Sequence, residues 1–214
     1  MSPDVSPAGK VDLRRSIDGY RARAGQFRIL DMPRVAYLMV DGRGDPNTAP
    51  RYADALASLY PVAYTLKFAS KGLGRDYVVP PLEALWWAED MTAFTSARDK
   101  SAWSWTVMLL CPEWITSAMV DDAVGSCRAK RDVPPLLDDV RFASLDEGTC
   151  VQTLHLGPYD DEGPVLAELH GRFIPQHGLA MSGRHHEIYL NDARRTDPAK
   201  LRTILRQPVV RTDD

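Results

Sequence analysis

Apolar and β-favouring residues gather in short runs over residues 27–31, 35–41, 82–89 and 103–111, which read as β-strands bounded by polar or turn-forming segments. Met32-Pro33-Arg34, between the first two runs, has the length of a short hairpin connection. Gly42, Gly44 and Pro46 then break the pattern, and Tyr52, Leu56, Leu59, Ala63 and Leu66 recur at helical spacing behind a cap at Asn47 or Thr48. Pro61 falls inside this helix, which is expected to kink there or to begin at its second half. A polar insertion around residues 91–101 separates the third and fourth strand runs. Residues 114–131 read as a helix that Val133-Pro134-Pro135 terminates, since neither proline continues the hydrogen-bond ladder.

The same order of elements then returns. Runs at 140–144 and 149–156 flank Asp146-Glu147-Gly148 as a second hairpin, 164–176 carries a second helix, and 184–190 is a further strand. Thr196-Asp197-Pro198 predicts a capped C-terminal helix over 198–206. The expected fold is α+β: two pseudo-repeated hairpin, helix and strand halves, about 26–111 and 134–191, joined by the helix at about 114–131 within one domain over 26–210. Two sheets facing a shared cleft are the simplest such architecture, and the polar, mixed-charge residues 1–25 read as a loose arm with a short helix near 11–20.

Alternation also sorts candidate site residues by face. In His185-His186-Glu187-Ile188-Tyr189-Leu190 it sets Glu187 and Tyr189 against Ile188 and Leu190, which are expected to face the helices and leave the acid and the phenol toward a cleft. The same logic sets Tyr37 and Met39 against Leu38 and Val40, and His155 against Leu154 and Leu156, so Tyr37, Met39 and His155 join the expected lining. Trp86 and Trp87 point one ring to each face, whereas Trp103 and Trp105 share a face, and rings from both strands can build an aromatic cage. A carboxylate among aromatics attracts a planar cation or serves as a base.

Composition narrows the function classes. A net charge of −3 with 26% charged residues lacks the basic excess of a phosphate-tracking protein, so no nucleic-acid partner is expected. No apolar run spans a bilayer and the N-terminus has no signal pattern, so the expectation is a cytoplasmic chain without a membrane partner. Cys111, Cys127 and Cys150 are odd in number and lack a C-x-x-C pair, which fits reduced core thiols. His185 with Glu187 gives only two metal-type ligands, and His170 and His177 read as surface residues, so no metal and no cofactor are expected. No nucleophile elbow, P-loop or dinucleotide fingerprint occurs.

Val40-Asp41-Gly42-Arg43-Gly44-Asp45-Pro46-Asn47, Gly157-Pro158-Tyr159, the strand His185 to Leu190, and the tail from Arg194-Arg195-Thr196 to Arg206-Gln207-Pro208-Val209 together resemble the stand-alone GyrI-like small-molecule-binding proteins, from about residue 26 onward. The resemblance implies duplicated SHS2-type modules with a ligand cleft between them. It further implies binding of flat hydrophobic or cationic aromatic compounds, with Glu187 as the central acid. Tyr37, Trp86 or Trp87, Trp103 or Trp105, Tyr159 and Tyr189 are the implied aromatics. One subfamily hydrolyses the cyclopropane of DNA-alkylating natural products, which implies Glu187 as base with Tyr189 or Tyr159 as donor to the developing phenolate. A non-catalytic sponge or sensor, and an inhibitor of a partner protein, are the alternative readings.

Overall fold

The computed structural model describes residues 9–89 and 99–212. Eight strands form one antiparallel path: β1 (Arg28–Met32), β6 (Gly148–Leu156), β9 (Arg202–Arg211), β8 (His185–Tyr189), β3 (Glu83–Trp87), β4 (Ser104–Cys111), β2 (Val35–Arg43) and β5 (Arg141–Leu145), with β7 (Leu179–Met181) pairing β9. The arrangement is one sheet, not two facing sheets. Its two sides meet at β3 and β8, where Ala84 pairs with Glu187 and Trp86 with His185.

The two expected hairpins exchange partners. β1 pairs with β6 and β2 with β5, so neither short link closes a hairpin. The favoured two-residue hairpin turns need a positive φ at their first residue, which the ring of Pro33 forbids. Three virtual bonds hold Met32 and Val35 within roughly 11 Å, although β1 and β2 lie near opposite ends of the strand order. The sheet must therefore curl until its ends approach.

Curling gives the sheet an inner and an outer face. The inner face is filled by residues 11–20, which pack there rather than forming a loose arm. Val11 bridges Tyr77, and Leu13, Ile17 and Tyr20 pack with Tyr37, Met39, Leu85 and Met108. A polar network also crosses the interior. The Glu147 carboxylate binds His186 Nδ1 and Arg206 Nη1, each at 2.9 Å, and Glu83 Oε2 binds His186 Nε2 at 2.9 Å and accepts from the Tyr37 hydroxyl at 3.1 Å. Tyr20 donates to the other oxygen of Glu83, and Arg206 Nη2 donates to the Gly19 carbonyl at 2.8 Å.

Helices cover the outer face. After α1 (Leu13–Ser16), α2 (Pro50–Gly72) runs unbroken through Pro61 and packs Ala55, Leu59, Val62 and Leu66 on Leu38, Val40, Val107 and Leu109. It starts at Pro50 behind Ala49, while Asn47 instead closes a turn on Asp45 Oδ1 at 2.9 Å. α3 (Ser117–Arg128), capped by Thr116, packs beside α2. α4 (Gly163–Glu168) continues through a π-turn into α5 (Ile174–Gln176) and lays Leu169 and Ile174 on Val151 and Val209.

The expected C-terminal helix is instead β9, preceded by a single turn over Pro198–Lys200. Thr203, Ile204, Val209 and Val210 favour a strand, and β9 is buried along most of its length because it lies between β6 and β8. Apart from residues 99–101, the expected insertion falls outside the described residues.

Candidate functional site

Strand register decides which side chains reach the outer face between α2 and α4. Trp86, Glu187, Tyr189, Thr203, Thr153 and His155 lie on that face, since directly paired residues share a side. Glu187 and Tyr189 therefore point toward the helix layer. Ile188, expected to face the helices, instead packs inward with Leu154, Ile204, Tyr20 and Ala22.

Aromatic rings fill this region and brace one another. Tyr52 of α2 stacks on Trp86 with centroids 6.3 Å apart and meets Trp105 edge-on at 5.0 Å, while Trp103 meets Trp86 edge-on at 5.6 Å. Trp105 lies flat over Gly42, where a Cβ would fall 2.1 Å from its ring, and donates Nε1–H to the Gly44 carbonyl at 3.2 Å. The Asp41-Gly42-Arg43-Gly44 run thus serves to seat this ring. Trp105 is fully buried and supports Trp86 through Tyr52.

At the centre, Trp86 Nε1–H donates to the Tyr189 hydroxyl at 3.1 Å, and Tyr189 donates to Glu187 Oε2 at 2.7 Å. His185 Nε2 stands 3.6 Å from Glu187 Oε1. The carboxylate is thereby oriented by a phenol that is itself oriented by an indole, which leaves Glu187 held as a base or as a charge partner for a cation.

The Gly-Pro-Tyr turn supplies the opposite wall. Gly157 adopts φ +123°, and His155 Nε2 lies 2.9 Å from the Pro158 carbonyl, so His155 braces the turn. The turn delivers Tyr159, whose ring meets Tyr189 edge-on at 5.4 Å, and then Glu162, which is 6% exposed. Burial, and after it the charge of Glu187, raise the Glu162 carboxyl far above its ordinary range. Thr203 partly offsets that rise, although Glu162 Oε1 and Thr203 Oγ1 form no hydrogen bond of full geometry among the described residues. Thr153 Oγ1, both ring nitrogens of His185 and His170 Nε2 are likewise buried without such a bond.

Of the residues singled out in the sequence, Glu187, Tyr189, Trp86, Trp103, Trp105, His155 and Tyr159 come together on the outer face. Tyr37 and Met39 do not. β2 turns Leu38 and Val40 toward α2, so Tyr37 binds Glu83 in the interior and Met39 takes an Arg141 N–H at 2.9 Å. Trp87 also faces away, with the Arg184 guanidinium 3.5 Å above its ring. His170, read as a surface residue, is edge-on to His185 at 5.7 Å, and burial, then His185, lower its pKa to about 4. Sequence reasoning missed Tyr52, Thr203 and Glu162. The carboxyl of Glu162 sits five residues past Gly157, and its place one turn beyond a Gly-Pro start was the available signal. Among the described residues no three His, Cys, Asp or Glu side chains converge as a metal site requires.

A model of the GyrI-like small molecule binding domain matches residues 25–210. The fold is similar to that of an uncharacterized conserved protein from Listeria innocua, at 36% identity and TM-score 0.84, covering 94% of this chain and 100% of that one. It is also similar to a hydrolase from Listeria innocua, at 35% identity and TM-score 0.80, with the same coverage of 94% and 100%. The EcmrR C-terminal domain, at 13% identity and TM-score 0.54 over 87% of this chain and 98% of that one, shares the fold alone. No curated protein matches the chain.

Proposed function

This chain belongs to the GyrI-like family of small-molecule-binding domains, and from that premise we propose that its outer-face cleft binds flat hydrophobic or cationic xenobiotics and hydrolyses the cyclopropane of DNA-alkylating cyclopropanoid compounds. The observation that carries the reading is the chain Trp86 to Tyr189 to Glu187, set among stacked rings. A spiro-cyclopropane conjugated to a dienone is flat enough to lie against Trp86 and Tyr159. Glu187 takes a proton from a water whose oxygen bonds to the cyclopropane methylene. The methylene–spiro carbon bond breaks, and its electron pair aromatises the ring and leaves negative charge on the former carbonyl oxygen. Ring strain and aromatisation supply much of the drive, so the protein's part is placement. The hydrolase from Listeria innocua, at 35% identity over nearly the whole chain, supports the class of reaction.

Mass spectrometry of a cyclopropanoid incubated with substoichiometric protein tests this reading. Conversion of many equivalents to the product heavier by one water is expected, and Glu187→Gln, nearly isosteric but unable to accept the proton, loses about 10²–10⁴-fold in kcat with a smaller change in KM. Unchanged compound, protected only in proportion to the protein added, would assign the cleft to sequestration instead.

A further inference from the structure

Water addition needs a proton acceptor at the water and a proton donor at the developing oxyanion. Tyr189 is poorly placed for the second task, because its own proton is directed to Glu187 at 2.7 Å and its oxygen already accepts from Trp86. Tyr159 is 39% exposed and turned edge-on to Tyr189. A different acid stands at the same wall. Glu162 is held by the Gly-Pro-Tyr turn with its carboxyl almost fully buried, and its Oε1 forms no hydrogen bond of full geometry among the described residues. Such an oxygen is costly to bury unless something binds it.

On balance the groups around Glu162 favour a proton on it. Glu187 and Tyr189 reach it from β8 and Tyr159 and Asp160 from its own turn, while Thr203, from β9, acts in the opposite direction. The cation among the described residues that acts on Glu162, Lys100, is bound to Asp160 Oδ1 at 2.8 Å. A buried carboxyl that feels a second carboxylate, with its nearest ammonium engaged elsewhere, is stable as the neutral acid.

We propose that Glu162 is the proton donor of this site, a neutral carboxylic acid that hydrogen-bonds the ligand's carbonyl oxygen and protonates it as the cyclopropane opens. This rests on the hydrolase reading above. As the carbon–carbon bond breaks, the Glu162 O–H bond passes its proton to the phenolate oxygen, while Glu187 receives one from the attacking water. The sum is addition of one water, and a proton returning from Glu187 to Glu162, directly or through solvent, resets the pair. The ligand class follows: a planar aromatic ketone or dienone, whose acceptor oxygen takes the carboxylic O–H.

Infrared spectroscopy and kinetics test the assignment together. At pH 7 the wild-type protein minus Glu162→Gln difference spectrum is expected to contain the carbonyl stretch of a protonated carboxyl. Glu162→Gln is expected to lose about 10²–10⁴-fold in kcat with little change in KM and to lose the alkaline limb of the kcat–pH profile, and Glu162→Asp to recover part of the rate. Absence of the protonated band, or turnover by Glu162→Gln at the wild-type rate while Glu187→Gln is impaired, overturns the donor and leaves the hydrolase reading standing. A wild-type protein that leaves the cyclopropane intact overturns both.

Discussion

Tyr189 sits at the point where the site's two functions, holding a ring and holding a charge, meet in one side chain. Its ring meets Tyr159, its oxygen takes the Trp86 N–H, and its proton fixes Glu187. Removing the hydroxyl leaves the ring contact but frees the carboxylate to rotate and strands the indole N–H. Tyr189→Phe is therefore expected to keep the fold and most ligand affinity and to lower kcat roughly 10- to 100-fold, the range of a hydrogen bond to a charged group. Steady-state kinetics on the purified variant check this, and a change confined to KM would mean that Tyr189 only shapes the pocket. Alternation in the sequence put Glu187 and Tyr189 together correctly, because a strand's period is a local property. Which side the helices cover is not local, and for that reason the same pattern sent Tyr37 and Met39 to the wrong face.

Among elements, strands were legible as segments but not as partners. All seven strand runs expected from the sequence survive with shifted ends, and so do the long helix and α3, because each carries its own apolar period. The pairing of β1 with β6 and of β2 with β5 depends on contacts between residues more than 100 positions apart, which no short window contains. β9 was misread because Asp197-Pro198 does start a turn and Arg202 and Arg206 fall at helical spacing, whereas burial of Arg206 against Glu147 requires the complete interior. β2 contributes one exact fit to the site at Gly42, beneath Trp105. Gly42→Ala places a methyl inside that ring's volume, so it is expected to cost about 1–3 kcal/mol and to displace Trp105 from Tyr52. Chemical denaturation with near-ultraviolet circular dichroism reads both effects, and wild-type values would show that the ring has room to move.

At the scale of the whole molecule, the curled sheet is tied from within by Glu83, His186, Glu147 and Arg206, which join the centre of the sheet to the β5–β6 link and the N-terminal segment. Burial alone would raise Glu147, but His186 and Arg206 overcome it and bring its pKa from 4.5 to about 2. Its contribution to stability is present above pH 4.5 and is lost as pH falls toward 2. His186 behaves oppositely. Burial works against its charge, yet the carboxylates raise its pKa above 6.5, so its contribution is full below 6.5 and is lost as pH rises through the folded value. Melting temperatures across pH are thus expected to pass through a maximum between these limits. Arg206→Met should cost about 3–5 kcal/mol and move the acid limb upward, since it leaves Glu147 with one partner fewer. A flat profile for both proteins would show that the network does not tie the sheet. The interior is structural in this account and the outer face binds. Trp86 and Trp87 divide between these faces, so a titration with ethidium, a planar aromatic cation, followed by tryptophan fluorescence tests the central claim most directly. Trp86→Phe should abolish most of the saturable quenching and weaken binding about tenfold, and Trp87→Phe should leave the affinity at the wild-type value. Loss of binding on replacing Trp87, with Trp86→Phe unaffected, would contradict the placement of the ligand site.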